Sequence, residues 1–245
     1  MNFQIAAQGR SFKGAMAYYT HDKRAPGPEG GAAVSGPHPA SSERVAWTET
    51  RNIASDRPEV ATRIMIATAE RADQLKAEAG IAATGRKAQK PVLAYSLAWH
   101  PNEAGKLDRA EMSRAANDSL RVLGLEKHQA VIVAHRDTAH PHVHVIVNRV
   151  SPEDGRMAKI DPPKVRALDR WANDYERARG QVVSPERAAK YERVAEKQRQ
   201  HPDPEARRAH VAEKAAGRVQ AAQERQEAAS GASSLSEARK AAQGA

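Results

Sequence analysis

The sequence has no cysteine and only two phenylalanines, and aromatic residues make up 4% of its 245 positions. Without cysteine there is no disulfide framework and no thiolate metal site, which leaves histidine and carboxylate as metal donors and fits a reducing compartment. No stretch approaches the roughly 18 uninterrupted apolar residues of a membrane span, so no membrane insertion is expected. MNFQIAAQGR, at the N-terminus, lacks the apolar run of a secretory signal. Hydrophobic residues amount to 40% and mean hydropathy is -0.72, so a buried core is not expected through the whole chain. The length suffices for one sizeable domain and additional segments.

What the chain has in excess is positive charge. Lysine and arginine number 39 against 30 acidic residues, a net charge of +9. A positive field attracts polyanions, which makes nucleic acid the leading partner class. A solubility surplus explains the same charge equally well, so charge needs support from a site.

Hydrophobic periodicity divides the chain. Strands are expected at 2–8, 44–50, 91–99, 129–135 and 142–150, from alternating or continuous apolar runs. Helices are expected at 11–20 with Ser11 as N-cap, from Asp56-Arg57-Pro58 to just before Gly80, at 108–123, and from Asp161-Pro162 to just before Gly180. Residues 25–42 are dense in Gly, Pro and Ser and read as a long loop, of the kind that is functional or disordered. The expected fold is α+β: an antiparallel sheet of about five strands, helices packed on one face and a candidate site on the other. That domain spans 1–180. Residues 181–245 form a basic, Ala-rich helical extension with a disordered tail, because helix propensity is high and no wide apolar stripe exists to dock it.

Four of the ten histidines lie in HRDTAHPHVHVIVNRV, residues 135–150. In a strand alternate residues share a face, so His142, His144, Ile146 and Asn148 point one way and Val143, Val145 and Val147 the other. A hairpin across residues 136–141 brings His135 beside His142. Three imidazoles then converge on one divalent cation with coordination positions left open. Neutral ligands leave the ion's charge uncancelled, which suits polarisation of a phosphoryl oxygen. Asp137 is placed to accept the second N–H of a ligating histidine and so to support catalysis, while His140 is outside the ligand set.

Tyr18 and Tyr19 follow at the end of the first helix, before Thr20-His21-Asp22-Lys23-Arg24. A tyrosine can attack a phosphodiester and leave again, conserving the energy of the broken linkage. The order Tyr-Tyr-Thr, then Tyr95-Ser96-Leu97-Ala98-Trp99-His100-Pro101-Asn102-Glu103, then His-x-Asp-x-x-His-x-His-x-His with Asn148, resembles the conjugative relaxases. The nearest class is the mobilisation nucleases related to the T-DNA border endonuclease, within the histidine-hydrophobe-histidine endonuclease superfamily. The resemblance spans residues 1 to about 180, and the third motif is the most specific.

The resemblance implies strand-specific nicking and strand transfer at a plasmid origin of transfer, through a 5′-phosphotyrosine. It implies Tyr19 as nucleophile, with Tyr18 the second choice. It maps the metal ligands onto His135, His142 and His144, and a DNA contact near the scissile phosphate onto Ser96. It implies Mg²⁺ or Mn²⁺ as the working ion, although imidazoles intrinsically favour Zn²⁺ or Ni²⁺. Implied partners are single-stranded and nicked duplex DNA at the origin, an accessory DNA-binding protein and a type IV secretion coupling protein, in the bacterial cytoplasm. No Walker-type glycine loop is present, unlike larger relaxases that continue into helicase regions.

Arg44, Arg51, Lys87 and Lys90 are phosphate contacts or solvated charges, and Asn148 shares the imidazole face as a DNA contact. Glu49 and Glu103 are the candidate bases for the tyrosine proton. Trp47 and Trp99 are core residues or base-stacking platforms. Two rival readings remain: a rolling-circle replication initiator with the same chemistry, and a non-catalytic DNA-binding protein with a structural metal.

Overall fold

The computed structural model describes residues 1–23, 37–38, 42–82, 89–200, 205, 208–209 and 211–221. Most of the Gly/Pro/Ser-rich stretch 25–42, with Lys87 and the tail expected to be disordered, lies outside the described residues. Contacts divide the chain into two compact units, Met1–Ala188 and Ala189–Ala245.

The first unit is built on a five-stranded antiparallel sheet of β1 (Asn2–Ile5), β4 (Val45–Arg51), β5 (Val92–Ala98), β6 (Ala130–His135) and β7 (His142–Asn148), in the order β1-β5-β7-β6-β4. Two short strands, β2 (Asp22–Lys23) and β3 (Pro37–His38), pair separately. The α+β class and the strand number are those the pattern predicts. β5, β6 and β7 occupy the centre because they carry the longest apolar runs, and β6 is buried at every position.

The distribution of the helices is different from the expectation of one covered face. Helices α4 (Arg109–Val122) and α5 (Pro162–Ala178) cover one side, where Leu93, Leu97, Ile132, Val143, Val145 and Val147 meet Met112, Leu120 and Leu168. Helices α1 (Phe12–Thr20) and α2 (Pro58–Glu70) pack on the other, where Phe12, Met16 and Met65 meet Val92, Val131, Val133 and Ile146. The reason is in the strands. The face that bears the histidines is polar at its two ends, the imidazoles at one and the buried Asn148 at the other, and between them Val131, Val133 and Ile146 make apolar surface that must be covered.

Several termini follow their sequence signals. Ser11, Asp108 and Asp161 accept backbone N–H groups of the first turns of α1, α4 and α5. Asp56 does not cap α2; Arg57 holds that position without a side-chain cap, and the Ser55 hydroxyl accepts from the Arg57 amide. The expected single helix to residue 79 is broken at Arg71 into α2 and α3 (Ala72–Glu78). Gly155, at φ 66°, sits where a Cβ would lie 2.1 Å from the Ala72 carbonyl, so only glycine lets the turn after β7 approach α3 this closely.

In the second unit, α6 (Pro185–Gln200) begins before the boundary and continues through it. Residues 211–221 are helical and exposed throughout, as expected of a segment with no apolar stripe.

Candidate metal centre

The β6–β7 hairpin sets the register His135↔His142, with Val133↔His144 two residues further in. Paired residues share a face, so all three imidazoles stand on the α1 side of the sheet. Their donor nitrogens lie within 4.8 Å of one another, and the ring centroids are 4.6–5.2 Å apart. A set of three imidazole donors at this spacing fits a divalent ion such as those bound by three histidines and open to further ligands. The turn between the strands is tied to the start of β4, where Arg136 donates to the carbonyls of Arg44 and Glu43.

The first helix delivers one tyrosine to this cluster. Phe12, Met16 and Tyr19 fall on one stripe at i, i+4 and i+7, and the first two dock α1 on Val131, Val133 and Ile146. The same stripe therefore carries Tyr19 to the end of the sheet, with its ring 4.5 Å from that of His144. Tyr18 is rotated about 100° around the helix; it is 50% exposed and meets Tyr19 edge-on at 5.0 Å. Burial raises the Tyr19 phenol above its ordinary 10.0, the neighbouring Tyr18 adds to this, and Arg44 opposes it. The phenol is protonated at neutral pH.

The hydrogen bonds around the imidazoles are not those expected. His142 Nδ1 donates to the His140 carbonyl at 2.8 Å, so a backbone group rather than Asp137 fixes that ring. Asp137 faces the opposite nitrogen, its Oδ1 3.6 Å from His142 Nε2, and pairs with Arg44 Nε at 3.3 Å. A carbonyl two residues upstream of a histidine leaves no sequence signal, which is why this contact was missed. Burial also lowers the His135 imidazole below its ordinary value, opposed by its bond to the Tyr19 carbonyl and helped by the nearby Arg44 charge. His135 is neutral at pH 7, the form a metal ligand requires.

Ser96 pairs with His144 across β5 and β7, so it shares the histidine face; Gln4 of β1 pairs with Ser96 and continues the row. Arg44 is at the cluster but nearly buried (9% exposed). Three other expected DNA contacts are not brought there. Arg51 is at the far end of β4, six residues from the His135 pairing and roughly 20 Å along the strand. Lys90 precedes β5 at that same far end. Asn148 is fully buried: its amide donates to the Met65 carbonyl and Gln129 Oε1, and its oxygen accepts from the Val150 amide. It shares the histidines' face, as parity predicts, but α2 lies over it, and its role is structural.

Neither candidate base is near the tyrosine. Glu49 pairs with Ile132, which places it on the other face, where it accepts from Ser113. Glu103 is buried on the His100 amide and beside Arg179. Trp99 is buried with its indole N–H on the Tyr175 hydroxyl, and Trp47 packs against the α4–α5 core with Arg109 over its ring. Both tryptophans are core residues.

Sheet, histidine cluster and tyrosine together define an α+β protein with a candidate three-imidazole metal centre beside a tyrosine. Residues 34–181, well over half of the chain, match the family described as Relaxase: MobA/VirD2-like, nuclease domain, and the chain belongs to that family. Among curated proteins it is similar to "Protein MobA" of Acidithiobacillus ferrooxidans, with 34% identity over 67 residues. That alignment covers 27% of this chain and 16% of the relative's length.

Proposed function

We propose that this chain nicks one DNA strand at a plasmid origin of transfer by transesterification and keeps the 5′ end as a phosphotyrosine on Tyr19, which initiates mobilisation. The observation that carries the reading is the placement of Tyr19 against His144, on the apolar stripe that docks its helix, with the donor nitrogens of His135, His142 and His144 gathered beside it. Tyr18 is the second choice because its ring points outward.

His135, His142 and His144 would hold a divalent ion, Mg²⁺ or Mn²⁺ in the working enzyme. When bound, such an ion polarises a phosphoryl oxygen and stabilises the charge that develops in phosphoryl transfer. The residues of the chain do the rest. Tyr19 Oη attacks phosphorus as its proton leaves, the P–O3′ bond breaks, and the 3′ oxygen takes up a proton to become a free 3′-OH. The reverse attack by a 3′-OH reseals the strand. Ser96, on the row next to His144, contacts DNA near the scissile phosphate, and Asp137 supports the site through Arg44 and His142. On this reading the substrates are single-stranded and nicked duplex DNA, and the protein works in the bacterial cytoplasm with an accessory DNA-binding protein and a secretion coupling protein. Among the described residues no helix is long and apolar enough to cross a membrane.

The test is a covalent adduct. Wild-type protein with Mn²⁺ and origin-of-transfer DNA should give a slow-migrating species on a denaturing gel, mapped by mass spectrometry to Tyr19. Tyr19→Phe should lower nicking by about 10³-fold or more, while Tyr18→Phe keeps it. An adduct on Tyr18, or nicking untouched by both substitutions, refutes the assignment. Preference for replication-origin DNA over transfer-origin DNA identifies a rolling-circle initiator instead, and absence of any cut on either leaves a DNA-binding protein with a structural metal.

A further inference from the structure

His135 is hydrogen-bonded at both ring nitrogens. Arg44 Nη2 is 2.8 Å from Nδ1, and Nε2 is 2.7 Å from the Tyr19 carbonyl oxygen. A guanidinium has only N–H donors and stays charged. Nδ1 is therefore the acceptor, and Nε2 carries the hydrogen that it donates to Tyr19. His142 is different: its Nδ1 donates to a carbonyl, which leaves Nε2, 3.6 Å from Asp137 Oδ1, as the nitrogen with the lone pair. Of the two, His142 is in the ligating tautomer and His135 is not.

Arg44 is built into this position. It is nearly buried, its Nε pairs with Asp137 Oδ2 at 3.3 Å, and its Nη1 lies 3.5 Å from the His21 carbonyl. It thereby joins β4, the hairpin turn, His135 and the end of the tyrosine helix.

We propose that Arg44 is a positioning residue that makes metal loading and phosphodiester binding cooperative. The proposal rests on the reading of the three histidines as a metal site. In the absence of DNA, Arg44 competes with a divalent ion. It holds His135 in the tautomer with no free lone pair, and it places a fixed positive charge beside the cluster. A phosphodiester at the cluster offers the guanidinium a stronger, bidentate partner, and its negative charge offsets the repulsion between arginine and metal. His135 is then released to ligate. Coupling of this kind is reciprocal, so DNA raises metal affinity by the same factor as metal raises DNA affinity. An ordinary phosphate-contacting arginine has a different signature, since its loss weakens DNA binding and leaves metal binding alone.

The experiment is calorimetric titration of Mn²⁺ into the full chain, with and without a saturating mixed-sequence single-stranded oligonucleotide, and with a blank titration into the oligonucleotide. Wild type should bind Mn²⁺ about tenfold more tightly with DNA present, within the range typical of coupled sites. Arg44→Gln should bind Mn²⁺ more tightly than wild type in the absence of DNA and should lose most of the DNA effect. Equal or weaker metal binding by a folded Arg44→Gln, or undiminished coupling, overturns the proposal while leaving the metal site standing. Failure of wild type to bind Mn²⁺ under either condition removes the metal-site reading and this inference with it. Should the variant not fold, ¹⁵N NMR of the metal-free wild-type histidines decides: His135 protonated at Nε2 supports the proposal, and protonation at Nδ1 overturns it.

Discussion

The two faces of the sheet are made from alternate residues of the same strands, yet they are built for different purposes. Towards α4 and α5, β7 presents Val143, Val145 and Val147, all fully buried, in a closed apolar layer with Leu93, Leu97 and Ile132. Towards α1 and α2 it presents His142, His144, Ile146 and Asn148, an order that runs from half-buried imidazoles to a sealed amide. The first face holds the fold together. The second is apolar only as far as α1 needs a seat, and beyond that it is polar. One strand thus supplies both a core and a site, because a period of two separates them completely.

The comparison breaks most sharply at two adjacent residues. His144→Ala should cut nicking by about 10²-fold or more through loss of a ligand and of the surface under Tyr19. It should also abolish any rise in melting temperature caused by Mn²⁺, read by thermal denaturation, and leave metal-free stability nearly unchanged. Val145→Ala, one position on, should do the opposite: about 2–3 kcal/mol of stability lost in urea denaturation, with Mn²⁺ binding intact.

Asn148→Ala tests whether the sealed end of the histidine face is structural. It leaves the Met65 carbonyl, Gln129 and the Val150 amide without their partner, a cost of about 1–3 kcal/mol. DNA affinity by fluorescence anisotropy should not change in the folded fraction. A specific loss of affinity would return Asn148 to the DNA interface.

The smallest expected effect lies on the closed side. Burial alone would raise the Glu176 carboxyl, but the N-terminal ammonium, the Ser184 amide and Arg187 outweigh it and hold it below its ordinary 4.5. A carboxylate with a depressed folded pKa contributes stability that is fully present above the unfolded value and is lost as pH falls through the folded one. Wild type should therefore lose stability as pH drops below about 4.5, and Glu176→Gln should lose less over that interval, as measured by urea midpoints at each pH. An identical acid slope in both proteins would show that this ion pair does not contribute.

Much of this was legible in the sequence. The alternation in HVHVIVN assigned the imidazoles and valines to opposite faces, and the hairpin register followed from the short connection 136–141. Ser11 and Asp161 announced their helices because capping is local chemistry. That Arg51 and Lys90 lie away from the cluster and Asn148 beneath α2 was not legible, because residue type does not say which end of a strand faces the cluster, or what lies over it. The Asp137 contact was misjudged because its competitor for His142 is a backbone carbonyl, which every residue has. Glu49 and Glu103 looked like bases only until pairing and burial set them away from the tyrosine.

The sequence by itself grouped His135, His142 and His144 on one face, because strand parity is a local property, and it singled out the tyrosine pair through the family resemblance. Only the tertiary structure distinguishes the positions of Tyr18 and Tyr19. The docking of Phe12 and Met16 on the sheet fixes the rotation of α1, and that rotation turns Tyr19 onto His144 and Tyr18 out to solvent. Only the tertiary structure, too, joined Arg44 to His135 across 91 positions, since a buried pairing between distant residues depends on the register of β4 against β6, and no local pattern encodes it.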